Sequence, residues 1–163
     1  MYYDFAVAEI YGGPLSPELK GYVRFQKVYG GVVVCATIYG LPEYDPANGN
    51  DEPIGPFGFH IHEGETCAIG DVDDPFQAAK GHYNPNNLPH GNHPGDFPVL
   101  IASNGYAQMC FFTDKFNIKE ILGKTIIIHQ NPDDYRSQPA GNAGKRLGCG
   151  IIRPMYDKKN RTW

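Results

Sequence analysis

The sequence predicts an all-β protein, an eight-stranded antiparallel Greek-key β-sandwich or barrel with long loops. Eight short apolar runs are separated by turn residues, and several of them alternate between apolar and polar side chains. The 163 residues include 20 glycines and 14 prolines, which suits many turns and few long helices. Short strands with one polar face are typical of sandwiches and barrels, and the length suits one domain covering residues 1–163.

The strand assignments follow from this alternation and from the turns between the runs. Val23 and Phe25 share one face of the second run, and polar residues occupy its other face. Gly30-Gly31 predicts a hairpin turn because glycine tolerates positive φ, and Asn104-Gly105 is a second signal of this kind. The predicted strands cover residues 3–11, 20–28, 31–40, 57–63, 98–102, 105–113, 124–129 and 147–152.

Three long segments do not fit a strand pattern and are predicted to be loops. Leu41–Pro56 is rich in proline and acidic residues, Glu63–Asp96 is irregular, and Gln130–Lys145 is polar. Irregular segments of such length are uncommon in compact domains unless they are functional or held in place. Metal ligands and a disulfide would hold the second segment in place.

Composition and charge argue against two classes of partner. The formal net charge is −4, whereas a nucleic-acid-binding protein shows a basic patch or stripe. No run of about 18 apolar residues is present, so no membrane-spanning helix is predicted. The first residues lack a basic region followed by an apolar one, so we predict no targeting segment in this chain. The compartment stays open between the cytoplasm and export of a mature form.

Histidine is the most informative residue type in the chain. Two histidines alternate in a strand-like run, three crowd into one loop with an acid, and one ends an apolar run. Imidazole is the usual protein ligand for copper and zinc. Seven nitrogen and oxygen ligands are enough for two metals that share one bridging group. The seven residues are His60, His62, His82, His90, His93, Asp96 and His129.

The first group of these ligands is predicted to lie on strands. Alternate positions of a strand face the same side, so His60 and His62 project together as a pair of metal ligands. His129 ends the apolar run that precedes it. On a neighbouring strand it would meet the first two histidines, and the alternative is a strand-end histidine that bonds to the backbone.

The second group of ligands lies on the long irregular segment. His93 and Asp96 are three residues apart, which is compact enough for both side chains to reach one ion. With His82 and His90 they complete a tetrahedral site with no open position, as in structural zinc sites. The alternative for this segment is a solvated polar loop.

The four cysteines do not form a C-x-x-C pair, so a thiolate zinc site is not predicted. Cys67 follows the His60–His62 segment and Cys149 lies near the C-terminus, so a bridge between them would tie a distant loop to a late strand. Cys35 and Cys110 lie inside apolar runs and are predicted to be buried thiols.

Several motifs between about residues 57 and 152 occur in a recognisable order. They are GFHIHE at 58–63, Cys67, GHYNP at 81–85, His90-Gly91, Gly95-Asp96, His129, Asp133-Asp134 and GNAGKRLGCG at 141–150. This ordered set resembles the copper/zinc superoxide dismutase family. Residues 1–56 resemble the family only as alternating strands.

The resemblance implies disproportionation of superoxide to dioxygen and hydrogen peroxide at a redox-cycling copper, which His82 bridges to a structural zinc. It also implies a homodimer, and it allows a copper chaperone as a further partner. The implied copper ligands are His60, His62, His82 and His129, and the implied zinc ligands are His82, His90, His93 and Asp96.

The resemblance gives roles to residues beyond the metal ligands. Asp133 would link a copper-ligand histidine to a zinc-ligand histidine, and Cys67 and Cys149 would form the intrasubunit disulfide. Arg146 would hold a small anion near the open copper position, because a guanidinium is permanently charged. Arg146 and His82 are therefore the implied catalytic residues.

A second interpretation is a non-catalytic copper-binding domain, a chaperone or a storage protein, on the same fold, since fold does not fix function. All four implied copper ligands and Arg146 are present, which favours the enzyme. The substrate is an anion and the chain is net negative, so local positive potential has to attract it. Lys80, Arg136 and Lys145 are further candidates for that role.

Overall fold

The computed structural model describes residues 4–46 and 52–155, in which seven strands form one antiparallel sheet. A 3₁₀ turn at Gln77–Ala79 and a short helix, α1 (Ile118–Ile121), are the helical elements of these ranges. The strands are β1 (Phe5–Gly12), β2 (Lys20–Val28), β3 (Gly31–Tyr39), β4 (Phe59–His62), β5 (Ala107–Thr113), β6 (Thr125–His129) and β7 (Arg146–Pro154).

The strand order across the sheet is β4-β6-β7-β1-β2-β3-β5. The first three strands are joined by short turns, and the chain then crosses to β4 at the far edge and returns to β5 at the near edge. The sheet is curled, and the predicted class of antiparallel β-barrel-like fold is confirmed. No helix in the described ranges is long and apolar enough to span a membrane.

The alternation that predicted the strands also builds the core. Ala6, Ala8 and Ile10 of β1 and Val23 and Phe25 of β2 are at most 1% exposed. Their neighbours along each strand face outwards, as period-2 geometry requires. A side chain the size of Phe25 contributes roughly 1.5–3 kcal/mol when it is fully buried. The curl therefore closes the inner face of the sheet around an apolar interior.

One of the eight predicted strands, that at 98–102, is wrong, because the structure has no strand there. This segment makes one isolated bridge, in which Leu100 and Phe57 exchange backbone hydrogen bonds of 2.9 Å. Pro98 has no N–H to donate, which limits pairing there. The chain then turns between Ser103 and Tyr106 and enters β5, so the segment connects the neighbourhood of β4 to the other edge strand. The first residue of the strand predicted at 3–11 lies outside the described residues.

The long segment 63–96 is irregular but is held against β4 by backbone pairing. Tyr83 N–H donates to Ile61 O at 2.7 Å, and Ile61 N–H donates to Gly95 O at 2.9 Å. Cys67 forms a disulfide with Cys149 of β7, which ties the same segment to the sheet. The loop is thus held to the strands at Cys67, at Tyr83 and at Gly95.

The prediction that Cys35 and Cys110 are buried thiols is wrong. The two residues are directly opposite each other in the β3–β5 ladder and form a second disulfide. Cys35 lies between the fully buried Val34 and Ala36, so it faces the outside of the sheet. The apolar run concealed this alternation because both faces of β3 carry valine.

Candidate metal centre

The outer face of β4 and β6 carries three of the histidines. His60 pairs with Ile127 in the ladder, and directly opposite residues share a face. His62 and His129 each lie two positions along from that pair, so both face the same side as His60. Phe59 faces the core instead. Strand periodicity and the β4–β6 register together bring the three imidazoles onto one face.

These three histidines and His82 form what we call the strand cluster. Their ligand atoms all lie within 4.8 Å of one another, and each residue is at most 7% exposed. The Nε2 atoms of His62 and His129 are 3.1 Å apart. The ring centroids of His60 and His82 are 4.0 Å apart. Four imidazoles held at these separations match the donor set that copper prefers.

A second group, which we call the loop cluster, consists of His82, His90, His93 and Asp96. Its ligand atoms also lie within 4.8 Å of one another. Asp96 Oδ1 is 2.9 Å from His82 Nδ1 and 3.2 Å from His93 Nδ1. The other oxygen, Oδ2, accepts hydrogen bonds from the backbone N–H of Gly91 and His93. Three imidazoles and one carboxylate match a closed tetrahedral zinc site.

His82 belongs to both clusters. Its Nδ1 faces Asp96, which leaves Nε2 for the strand cluster. This Nε2 is buried and has no hydrogen-bond partner among the described residues, and the same is true of His60 Nδ1 and His90 Nδ1. A buried polar atom without a partner costs about 1–3 kcal/mol. His90 Nδ1 lies 3.3 Å from Asp96 Oδ2 without a hydrogen bond between them. Three such nitrogens in one place fit two metal ions that would accept their lone pairs.

Asp133 joins the two clusters through their other nitrogens. Its Oδ2 is 2.6 Å from His60 Nε2, and its Oδ1 is 2.8 Å from His90 Nε2. A carboxylate on the far nitrogen of a ligating histidine fixes the tautomer and the ring direction. Gly141 has a φ of 66° and packs so closely on Asp133 and His90 that no Cβ fits there.

Burial keeps the strand histidines neutral. Desolvation lowers the pKa of His60 and His62 well below the usual value, and neighbouring imidazoles lower both further. Desolvation and His82 lower the pKa of His129 to about 3. Burial raises the pKa of Asp96, but the hydrogen bond from His82 and the nearby imidazoles outweigh it, so that pKa is lowered. Neutral imidazole and ionised carboxylate are the forms that bind metals.

Arg146 opens β7 beside His129, with which it is paired in the ladder. Its guanidinium donates to Phe76 O at 2.7 Å and to Lys80 O at 2.6 Å. It lines a cleft of about 270 Å³ together with His62, His82 and His129. Arg146 thus places a fixed positive charge at the mouth of the strand cluster.

The other candidate cations are placed differently. The lining of this cleft includes Arg146 but not Lys80, Arg136 or Lys145. Lys145 donates its Nζ to Asp73 O at 2.6 Å, on the outside of the loop. Lys80 contributes through its backbone, since its carbonyl accepts from both His62 Nδ1 and Arg146.

Sequence reasoning missed the residues that hold the loops together. Gln138 accepts from His90 N–H at 2.7 Å and donates back to His90 O at 3.3 Å. The Tyr135 hydroxyl donates to Phe97 O and accepts from Val99 N–H. A backbone carbonyl or a loop amide leaves no periodic signal in the sequence, so only the folded contacts identify these groups.

Fold and site together define a β-sheet protein with two adjoining groups of side chains that could each hold a metal ion and that share His82. A family model described as copper/zinc superoxide dismutase (SODC) matches residues 19–152. The chain belongs to this family.

Relatives and solved structures give the same result. The chain is 36% identical over 151 residues to superoxide dismutase (Cu-Zn) 2 of Aquifex aeolicus. This alignment covers 83% of this chain and 80% of the relative. It is 32% identical over 158 residues to the Legionella pneumophila superoxide dismutase (Cu-Zn), covering 92% and 88%. The Cu/Zn superoxide dismutase structure from Brucella abortus superposes with a TM-score of 0.72 at 28% identity, covering 90% and 98%.

Proposed function

We propose that this protein disproportionates superoxide, with copper in the strand cluster and zinc in the loop cluster. The observation that carries the proposal is the position of His82, whose two ring nitrogens face different clusters. Two superoxide anions and two protons give one dioxygen and one hydrogen peroxide. Bound copper supplies the one-electron redox couple that this reaction needs.

The remaining chemistry belongs to residues of the chain. His82 Nε2, turned towards the strand cluster, is the atom proposed to hold a proton for the second superoxide. The loop cluster fixes the orientation of His82 through Nδ1 and Asp96. Zinc has no redox chemistry of its own, so its proposed contribution is to order this loop.

Arg146 is the proposed binding residue for the anion. A guanidinium has five N–H donors, and the carbonyls of Phe76 and Lys80 hold its orientation. The net charge of −4 repels superoxide on average. The fixed positive charge of Arg146 counters this average repulsion at the mouth of the cleft, where superoxide would enter.

The alternative, a copper chaperone or storage domain, is not favoured. Such a role does not need a buried histidine shared between two clusters, or an arginine positioned beside them. The membership of His82 in both clusters and the anchoring of Arg146 beside them support the proposal of a site that acts on an anion.

We also propose that residues 1–163 form one domain and that the protein assembles as a homodimer, with a copper chaperone as a delivery partner. The family resemblance supports the last two points. Sedimentation of the metallated protein measures the assembly, and a monomer across the micromolar range would contradict the dimer.

Metal analysis combined with superoxide-decay kinetics tests the proposed reaction. In His129→Ala we expect copper to be lost, zinc to be retained and decay to fall to the spontaneous rate. In Arg146→Ala we expect both metals to be retained and decay to slow, with partial recovery in Arg146→Lys. Wild-type protein that carries both metals but does not accelerate superoxide decay would overturn the proposal.

A further inference from the structure

The two disulfides differ in their access to solvent. Cys149 is 2% exposed and packs with Phe76 and Ile127, whereas Cys67 is half-buried, so the Cys67–Cys149 bond is reached from the Cys67 side, through a cleft of about 460 Å³ that both cysteines line. In the Cys35–Cys110 bond, Cys110 is exposed and Cys35 is half-buried. A reagent from solvent therefore reaches the second bond at Cys110 first.

The Cys35–Cys110 disulfide also lies at an open edge of the sheet. Among the described strands, β5 pairs with β3 alone, so its other edge is unpaired. Cys110 and the 55%-exposed Phe112 face outwards from this edge. The histidines of the strand cluster lie on β4 and β6 and on the segment packed against them, and β5 pairs with neither strand. We therefore expect chemistry at this outward-facing disulfide to leave the histidine clusters in place.

An arginine lies across the ladder from Cys35. Arg24 is directly opposite Cys35 in the β2–β3 ladder, so the two side chains share the outer face. The guanidinium stacks over the Tyr22 ring at 4.4 Å from its centroid. A nearby cation lowers the pKa of a thiol, and a thiol of lower pKa leaves faster in disulfide exchange. The setting therefore favours release of Cys35 over release of Cys110.

We propose that Cys35–Cys110 is a thiol–disulfide exchange site, at which an external thiolate attacks Cys110 Sγ and Cys35 leaves as a thiolate beside Arg24. The new bond joins the external sulfur to Cys110 Sγ, and the Cys35–Cys110 bond breaks with its electron pair going to Cys35. No other oxidant or reductant is needed for this first step.

The class of thiol decides how far the exchange proceeds. A monothiol first gives the mixed disulfide on Cys110, and a second molecule of the monothiol is needed to release Cys110 as a thiolate. A dithiol carries a second thiolate that attacks its own sulfur in the mixed disulfide, so Cys110 is released as a thiolate and the dithiol becomes a disulfide. Two electrons pass to the protein in that case. Because the β3–β5 ladder pairs Val32–Ile38 with Ala107–Thr113, we expect it to remain hydrogen-bonded in both forms.

Timed exchange on the metallated protein tests this inference. The protein is treated with glutathione or with dithiothreitol, quenched by alkylation and mapped by peptide mass. We expect Cys35 and Cys110 to react at least tenfold faster than Cys67 and Cys149, with the glutathione adduct on Cys110. Equal rates at the two disulfides, or an adduct mainly on Cys35, would overturn the proposal.

Substitutions of Arg24 test the leaving group. Arg24→Gln removes the cation and should slow adduct formation several-fold, whereas Arg24→Lys should keep most of the rate. An unchanged rate in Arg24→Gln would overturn the assignment of Cys35 as the favoured leaving group. The double variant Cys35→Ser with Cys110→Ser should lose the fast adduct and keep both metals, and loss of its metals would contradict the separation of this site from the clusters.

Discussion

The strand cluster and the loop cluster share His82 but are built in different ways. Three of the four members of the strand cluster, His60, His62 and His129, lie on paired strands, so ladder geometry fixes their positions. Every member of the loop cluster comes from the irregular segment 63–96. Its geometry depends on hydrogen bonds and a disulfide rather than on a sheet. We therefore expect the loop cluster to be the more sensitive of the two to changes outside the ligands.

Paired ligand variants give the largest expected effect and test whether the clusters act separately. His62→Ala should weaken copper binding by more than about 100-fold, the upper end for residues that only support a ligand, and should leave zinc bound. His93→Ala should do the reverse, with zinc lost and copper retained. Metal analysis after dialysis measures both. If either variant loses both copper and zinc, the two clusters do not bind their metals independently.

The disulfide that fastens the loop should have the next largest effect. The double variant Cys67→Ser with Cys149→Ser should lose about 2–5 kcal/mol of unfolding free energy, measured by denaturant titration. The matched control is Cys35→Ser with Cys110→Ser, because the sequence separations are similar at 82 and 75 residues.

We expect comparable losses of stability in the two double variants but different effects on metals. Only the first should weaken zinc binding, because Cys67 lies in the segment that carries the loop cluster. Equal zinc affinity in both variants would show that the tether to β7 has no part in forming that cluster.

Asp133→Asn should reduce the affinity for both metals, since the carboxylate contacts one histidine unique to each cluster. The expected reduction is about 10–100-fold, as for other residues that orient metal ligands. Asp134→Asn is the control, because Asp134 is exposed and bonds to Ser137 and Asn142 instead of to histidine. Competition with a chelator measures both affinities. Wild-type affinities for both metals in Asp133→Asn would contradict the proposed role of Asp133 in linking the clusters.

The two clusters also differ in how far the sequence predicts them. The period of two on β4 placed His60 and His62 on one face without any structural information. The position of His129 depends on the ladder register as well. The sequence left this residue open between a metal ligand on a neighbouring strand and a strand-end histidine that bonds to the backbone. The loop cluster came from ligand type and close spacing, and the long segment itself carried no periodic signal.

Other features needed the folded chain. The Cys35–Cys110 bond depends on the register of β3 against β5, which hydrophobicity does not specify when both faces of β3 are apolar. The segment at 98–102 has the composition of a strand but only one bridge, because Pro98 limits its pairing. The backbone carbonyl of Lys80 accepts hydrogen bonds from both His62 and Arg146. Every residue has such a carbonyl, so the sequence does not mark this one.

The smallest expected effect concerns the brace between the loops. The Tyr135 hydroxyl donates to Phe97 O at 3.1 Å and accepts from Val99 N–H at 2.8 Å, next to the ligand Asp96. Tyr135→Phe removes both bonds and should cost about 1–3 kcal/mol of unfolding free energy. Because the hydroxyl holds the end of the loop cluster, zinc should also dissociate a few-fold faster, while copper release stays unchanged.

Tyr106→Phe is the matched control for this brace. The Tyr106 hydroxyl donates to Gln108 Oε1 at 2.9 Å on an exposed part of the sheet edge, away from segment 63–96. Its loss should leave zinc dissociation at the wild-type rate, followed with a zinc-binding dye. If Tyr135→Phe releases zinc no faster than Tyr106→Phe, the loop cluster is held by its own ligands and Asp133 alone, and the greater sensitivity assigned to it would have to be withdrawn.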